Sequence, residues 1–205
     1  MSVQNFVILL LMKTSFILHG GLTSIDSESN TLFFKTIVSK LTDGDKVLFI
    51  GFAREDEKIE SIYERDKKSL LAQTDESIIV MNATHENFLK QVKSSKAIYI
   101  TGGDTRKLLN ELNQYPNFVK SLNDKIIAGS SAGANIFSKL YFSTALRSVC
   151  NGLGVLPFSL VCHYGNKEMG ADKNAVLELK QTDDSLEVIT LAEQEFKSFD
   201  IDLSN

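Results

Sequence analysis

The sequence predicts an α/β protein, a three-layer sandwich built on a mostly parallel sheet. Short apolar runs alternate with longer amphipathic stretches along its 205 residues, and several of the short runs are rich in Ile and Val at consecutive positions. A strand buried on both faces needs such continuous apolar runs, whereas a helix needs a single apolar stripe. Strand, helix, strand, helix in that order calls for right-handed crossovers, which place helices on both faces of one sheet.

The predicted strands are 15–18, 46–52, 77–81, 97–101, 125–128, 160–163 and 186–191. Between them, 30–41 carries Leu32, Phe33, Ile37, Val38 and Leu41 on one stripe, with Gly44 shortly beyond its end. The stretch 57–73 sets Ile59, Ile62, Tyr63, Leu70 and Leu71 among charges. Two shorter helices are expected at 84–92 and 105–112, each opened by a residue able to cap. No repeat, low-complexity tract or Pro/Gly-rich linker divides the chain, so 12–205 reads as a single domain. Residues 1–11 read as an N-terminal extension upstream of Met12, with an ordered extra strand or an export signal as the alternatives. Their short apolar run lacks a basic leader and a small-residue cleavage site, and it is too short to span a bilayer.

Composition narrows the function. Hydrophobic residues make up 43% and charged residues 23%, with a net charge of −4 and the two signs interspersed. There is no basic stripe interleaved with aromatics, so nucleic acid is not an expected partner, and neither is a membrane. Two cysteines, Cys150 and Cys162, are too few for a disulfide framework or a four-ligand zinc site, and the three histidines show no paired ligand spacing. No metal and no cofactor is expected. The expected partners are a small peptide substrate and, at most, a second copy of the chain in a homodimer. The expected location is cytoplasmic.

In open parallel sheets, ligands collect where the strands end, and three of those turns stand out. The strongest is Ala128-Gly129-Ser130-Ser131-Ala132-Gly133-Ala134, a strand running through Gly-x-Ser-x-Gly into an expected helix. So tight a turn needs small neighbours, and it exposes the Ser131 hydroxyl beside free N–H groups, with Ala132 N–H placed to hold an oxyanion. The plainer alternative is a small-residue turn that lets the helix pack close to the sheet. At Thr101-Gly102-Gly103-Asp104-Thr105 a buried strand ends in bare backbone, which can offer a second oxyanion donor or serve as a phosphate-binding or purely structural turn. At Cys162-His163-Tyr164, His163 ends an apolar run and can take the proton of a serine hydroxyl. His19, after the first strand, is the competing base, and His85 lies in a polar helix start facing solvent.

Gly102-Gly103-Asp104-Thr105, Gly129-Ser130-Ser131-Ala132-Gly133-Ala134, and Gly152-Leu153-Gly154-Val155-Leu156-Pro157 with Cys162-His163-Tyr164 together resemble the serine peptidase family of peptidase E and cyanophycinase. The resemblance extends from about Met12 and includes Phe16-Ile17-Leu18-His19-Gly20-Gly21. It implies a flavodoxin-like, class I glutamine amidotransferase-like fold, Ser131 as nucleophile, His163 as base, and an oxyanion hole from the backbone of Gly103 and Ala132. It also implies an acid between serine and histidine, yet 132–162 contains no Asp or Glu. The third member is then supplied from outside 132–162, with Asp104, Asp124, Glu168 and Asp172 as the candidate acids, or replaced by a neutral acceptor such as a backbone carbonyl or hydroxyl, or absent. A neutral acceptor would mean slow turnover and an alkaline-shifted optimum. Relatives hold an acidic substrate side chain with basic residues after the histidine. Here that region has Lys167 and Lys173 but no Arg, so aspartyl specificity does not carry over.

The favoured function is a serine-type peptidase cutting short peptides through an acyl-enzyme on Ser131. The alternative is a weakly active or inactive binding protein on the same fold, motivated by the missing acid. A glutamine amidotransferase would need cysteine where Ser131 stands.

Overall fold

A computed structural model describes residues 13–203, so the expectations for residues 1–11 lie outside the described part. The elements follow in order as β1 (Thr14–His19), α1 (Glu28–Val38), β2 (Lys46–Ile50), α2 (Asp56–Leu71), β3 (Ile79–Asn82), α3 (Phe88–Ser94), β4 (Ala97–Ile100), α4 (Thr105–Leu112), a 3-10 turn (Val119–Leu122) and β5 (Ile126–Ser130). They continue as α5 (Ala132–Asn135), β6 (Ser138–Ser143), β7 (Ser148–Asn151), β8 (Leu156–Val161), α6 (Lys173–Thr182), β9 (Glu187–Thr190) and β10 (Phe196–Ile201). The α/β class and the mostly parallel pairing follow the sequence reading.

One sheet has the order β10-β1-β5-β4-β2-β3, with only β10 antiparallel to its neighbour. Alternation along its strands sends side chains to two cores. Ile17, Val47, Phe49, Tyr99 and Ala128 pack under Phe33, Phe34 and Ile37 of α1 and Tyr63 and Leu70 of α2. Phe16, Leu18, Leu48, Ile50, Ile98 and Ile127 face the opposite way, against Phe88 and Val92 of α3, Leu108 and Leu112 of α4, and Leu156 and Leu160 of β8. A second sheet, β7-β6-β8-β9, is parallel except at β7. It is covered by α6 through Ala175 and Leu179.

The helix expected after Ser131 lasts one turn. Beyond Asn135 the backbone pairs across the chain instead: Leu153 N–H donates to Ile136 O at 2.7 Å and Leu156 N–H to Phe137 O at 2.8 Å. That pairing starts β6 and opens the second sheet. Helix α3 begins at Phe88, four residues after the expected start, and of the strand expected at 160–163 only Leu160 and Val161 are extended, as the end of the longer β8. Strands β6, β7 and β10 and helix α6 had no counterpart among the expected elements.

Candidate active site

Strand β5 delivers the chain to Ser131, whose backbone sits at φ +50, ψ −104. A non-glycine residue held there stores about 1–3 kcal/mol, and the surrounding bonds must over-determine it. Ser131 N–H donates to His19 O at 2.9 Å, while Asn135 and Ala134 N–H donate to Ser131 O at 2.8 and 3.0 Å. The flanking glycines are required by space. A Cβ on Gly129 would lie 2.2 Å from Gly133 O, and one on Gly133 would lie 2.2 Å from Ile100 O. The short residues around Ser131 thus let β4, β5 and α5 close on one another, as a nucleophile elbow needs.

His163 arrives from the other sheet. Val161 ends β8, Cys162 is buried, and His163 turns out at φ +57 with its N–H donating to Gly20 O at 3.0 Å. The end of β1 and the first residue after it therefore grip the Ser131 and His163 backbones, respectively. Gly21 clears room for the ring, since a Cβ there would lie 2.2 Å from His163 Cε1. The Ser131 hydroxyl and His163 Nε2 are 2.9 Å apart, and His163 Nδ1 is 3.0 Å from Glu193 Oε1. With the hydroxyl donating to Nε2, the proton on the ring lies at Nδ1 and is donated to Glu193. Glu193 lies just beyond β9, the parallel neighbour of β8, paired in the register Val161↔Thr190. Parallel neighbours end side by side, so the two residues meet although 30 positions separate them. The Asn166 side-chain amide also donates to Glu193 Oε1, at 3.1 Å. This bond is the main cause holding the Glu193 carboxyl below its ordinary range, with His163 adding to it against the effect of burial.

The acceptor thus comes from outside 132–162, but it is a carboxylate and none of the four acids considered. Asp104 caps α4 through Arg106 and Lys107 N–H, and Asp172 caps α6 through Asn174 N–H. Glu168 is exposed, and Asp124 sits in the left-handed turn before β5. The signal that could have found Glu193 was its place, two residues past the predicted strand 186–191. His19, the competing base, has both ring nitrogens engaged away from the Ser131 hydroxyl. It is fully buried, with Nε2 2.9 Å from Asn30 Oδ1 and Nδ1 accepting Gly21 N–H at 3.0 Å. Burial pushes its pKa down to about 4, so it is a neutral organiser of the loop after β1. His85 is largely exposed and stacks on Phe52. Gly103, at φ +151, lines the same cavity as Ser131, and Ala132 opens α5. Among the described residues, neither of their N–H groups donates to a backbone carbonyl.

A family model decides the identity: that of peptidase family S51 matches residues 16–199. The chain belongs to that family. No curated protein matches it. Among solved structures, this S51 peptidase is similar to a protein from Listeria monocytogenes EGD-e described as a peptidase E. The identity is 19%, 94% of this chain and 100% of that one are covered, and the TM-score is 0.64. It is also similar to a peptidase from an acI-B1 actinobacterium, with 18% identity, 89% and 81% coverage, and a TM-score of 0.66. At such identities the likeness is one of fold.

Two cavities flank Ser131 in this S51 peptidase. One, of about 260 Å³, is lined by Asp104, Thr105, Asn135 and Thr144. The other, of about 250 Å³, is lined by Thr23, Arg54, Arg65, Gly102 and Met169. Both touch Gly103 and His163. Lys167 and Lys173 are exposed and line neither. Among the described residues, no three His, Cys, Asp or Glu side chains gather to hold a metal, and no helix is long and apolar enough to cross a membrane.

Proposed function

We propose that this S51 peptidase hydrolyses short peptides, in the cytoplasm, through an acyl-enzyme on Ser131. The observation that carries the reading is the continuous relay from the Ser131 hydroxyl to His163 to Glu193, with both contacts at or under 3.0 Å. His163 Nε2 takes the hydroxyl proton as the oxygen attacks the peptide carbonyl carbon. Glu193 keeps the ring in the Nδ1–H tautomer and stabilises the imidazolium that forms. The N–H groups of Gly103 and Ala132 receive the oxyanion, and the elbow strain at Ser131 keeps its hydroxyl pointed out of the turn. The imidazolium then gives its proton to the departing amine, and water, activated by the same ring, releases the acid and restores the hydroxyl.

An acid on the histidine removes the motive for the inactive binding-protein reading, and it replaces the slow, alkaline-shifted turnover expected of a neutral acceptor. The test is a fluorophosphonate probe with peptide digestion alongside it. The full chain should be labelled at Ser131 and should split unblocked di- and tripeptides. Ser131→Ala should lose both activities, while Ser130→Ala, whose side chain is buried, should keep labelling. Hydrolysis surviving at more than a few per cent in Ser131→Ala would remove Ser131 as the nucleophile.

A further inference from the structure

We propose that Arg54, with Arg65 beside it, binds a substrate carboxylate placed three bonds from the scissile carbonyl carbon. The reading builds on Ser131 as the nucleophile. Arg54 follows β2 in a short turn, and its guanidinium lines the cavity that Ser131, His163 and Gly102 also line. Its Nε is buried without a hydrogen-bond partner, and no carboxylate pairs with it among the described residues. Arg65, by contrast, is matched: its Nη2 and Nε lie 2.7 and 2.8 Å from Asp66 Oδ1, and Asp66 is fully buried. Two guanidinium groups against one carboxylate leave one positive charge uncompensated at the wall of the cavity. A half-buried cation without a partner is costly, and an anion brought by the substrate removes that cost. Burial accordingly pulls the Arg54 pKa down, and the neighbouring Arg65 charge acts in the same direction.

Position supports the same occupant. The space that a side chain on Gly102 would take lies 3.3 Å from Ser131 Cβ and 3.7 Å from Arg54 Nη2. Bare backbone at Gly102 therefore leaves a gap with the nucleophile on one side and the guanidinium on the other. Three extended bonds span about 3.8 Å, which fits such a gap. A peptide whose carbonyl sits on Ser131 can place a carboxylate at that reach from two sources. One is the side chain of an Asp that supplies the carbonyl, and the other is the free terminal carboxylate of the residue that leaves. Arg54 presents a planar fork to either, and lysine in its place would give only a point charge.

Titration calorimetry separates the sources and does not depend on turnover. The full chain carrying Ser131→Ala is titrated with Ala-Ala and Ala-Ala amide, and with Asp-Ala amide and Asn-Ala amide. A charge-assisted bidentate contact should make the carboxylate member of one pair bind at least about 10-fold tighter. Preference in the first pair assigns the terminal carboxylate, and preference in the second assigns the Asp side chain. Adding Arg54→Gln should reduce the ratio to about one, and Arg54→Lys should restore part of it. Equal affinities in both pairs, no binding of any peptide, or a preference that survives Arg54→Gln would overturn the proposal. Fluorophosphonate labelling of the unsubstituted chain decides the Ser131 reading separately, so the two can fail independently.

Discussion

In the proposed reaction Glu193 acts through the ring of His163, which it meets at 3.0 Å, and replacing it should expose how much of the rate depends on the tautomer. In Glu193→Gln the amide can still meet Nδ1 but can present the wrong partner to it. The expected fall in kcat is about 10²- to 10⁴-fold, read from hydrolysis of an unblocked dipeptide. In a Ser131→Ala background the same change should have no further effect, because members of one relay are not additive. Asn166 has a subtler role, since its amide is what chiefly holds the Glu193 carboxyl down. The relay needs Glu193 ionised and fixed against the ring, and the amide serves both needs. Asn166→Ala should therefore lower kcat in the same dipeptide assay, by less than Glu193→Gln does. An unchanged kcat would remove Asn166 from the relay.

At the scale of an element, the end of β1 organises the site without touching the reacting atoms. His19 O accepts from Ser131 N–H, Gly20 O accepts from His163 N–H, and the His19 ring holds Gly21 N–H. The ring can accept that bond only while it is neutral. Its folded pKa of about 4 lies below the unfolded value of 6.5, so the unfolded chain binds the extra proton between those values. Stability is then complete above about pH 6.5 and declines as pH falls toward 4, by about 3 kcal/mol for this one group. Urea unfolding at pH 7 and at pH 4.5 should show that decline in the native chain. His19→Gln, lower in stability at pH 7, should show less of it. An equal slope in both would mean that His19 carries none of the acid sensitivity.

For the whole molecule, the relay depends on two sheets keeping their places, with Ser131 leaving one and His163 and Glu193 leaving the other. One continuous core joins them. Phe16 and Leu18 of β1 pack in the same cluster as Leu156 and Leu160 of β8 and Ile189 of β9. Phe137, fully buried where the chain passes between the sheets, sets its ring edge on Phe16 with centroids 5.1 Å apart. Phe137→Ala should cost about 3–5 kcal/mol through the lost transfer energy and the cavity left behind. Circular dichroism and Ser131 labelling should both be lost at the same, lower urea concentration. Labelling lost well before the dichroism would show that the sheets part before either one unfolds.

The sequence by itself determined the parallel strands β1, β2, β4 and β5, because strands buried on both faces must be apolar at consecutive positions. It also determined the Ser131 turn, whose crowded backbone tolerates only small neighbours at Gly129 and Gly133. His163 was legible from its place at a strand end beside that motif. The tertiary structure alone decided what stands behind His163. Parallel pairing of β8 with β9 sets Glu193 against the ring, and no local pattern in the sequence records which strand ends become neighbours. The same holds for β6, β7 and β10. Their sequences, such as Phe196-Lys-Ser-Phe-Asp-Ile201, are half polar, and their backbones are held by partners far along the chain, as β10 is by β1. Arg54 likewise looks like one more surface charge until the fold sets it in the wall of a cavity, with its buried Nε unpartnered among the described residues. Local sterics and hydrophobic spacing are written into adjacent residues, whereas charge pairing across a site depends on contacts that only long-range packing creates.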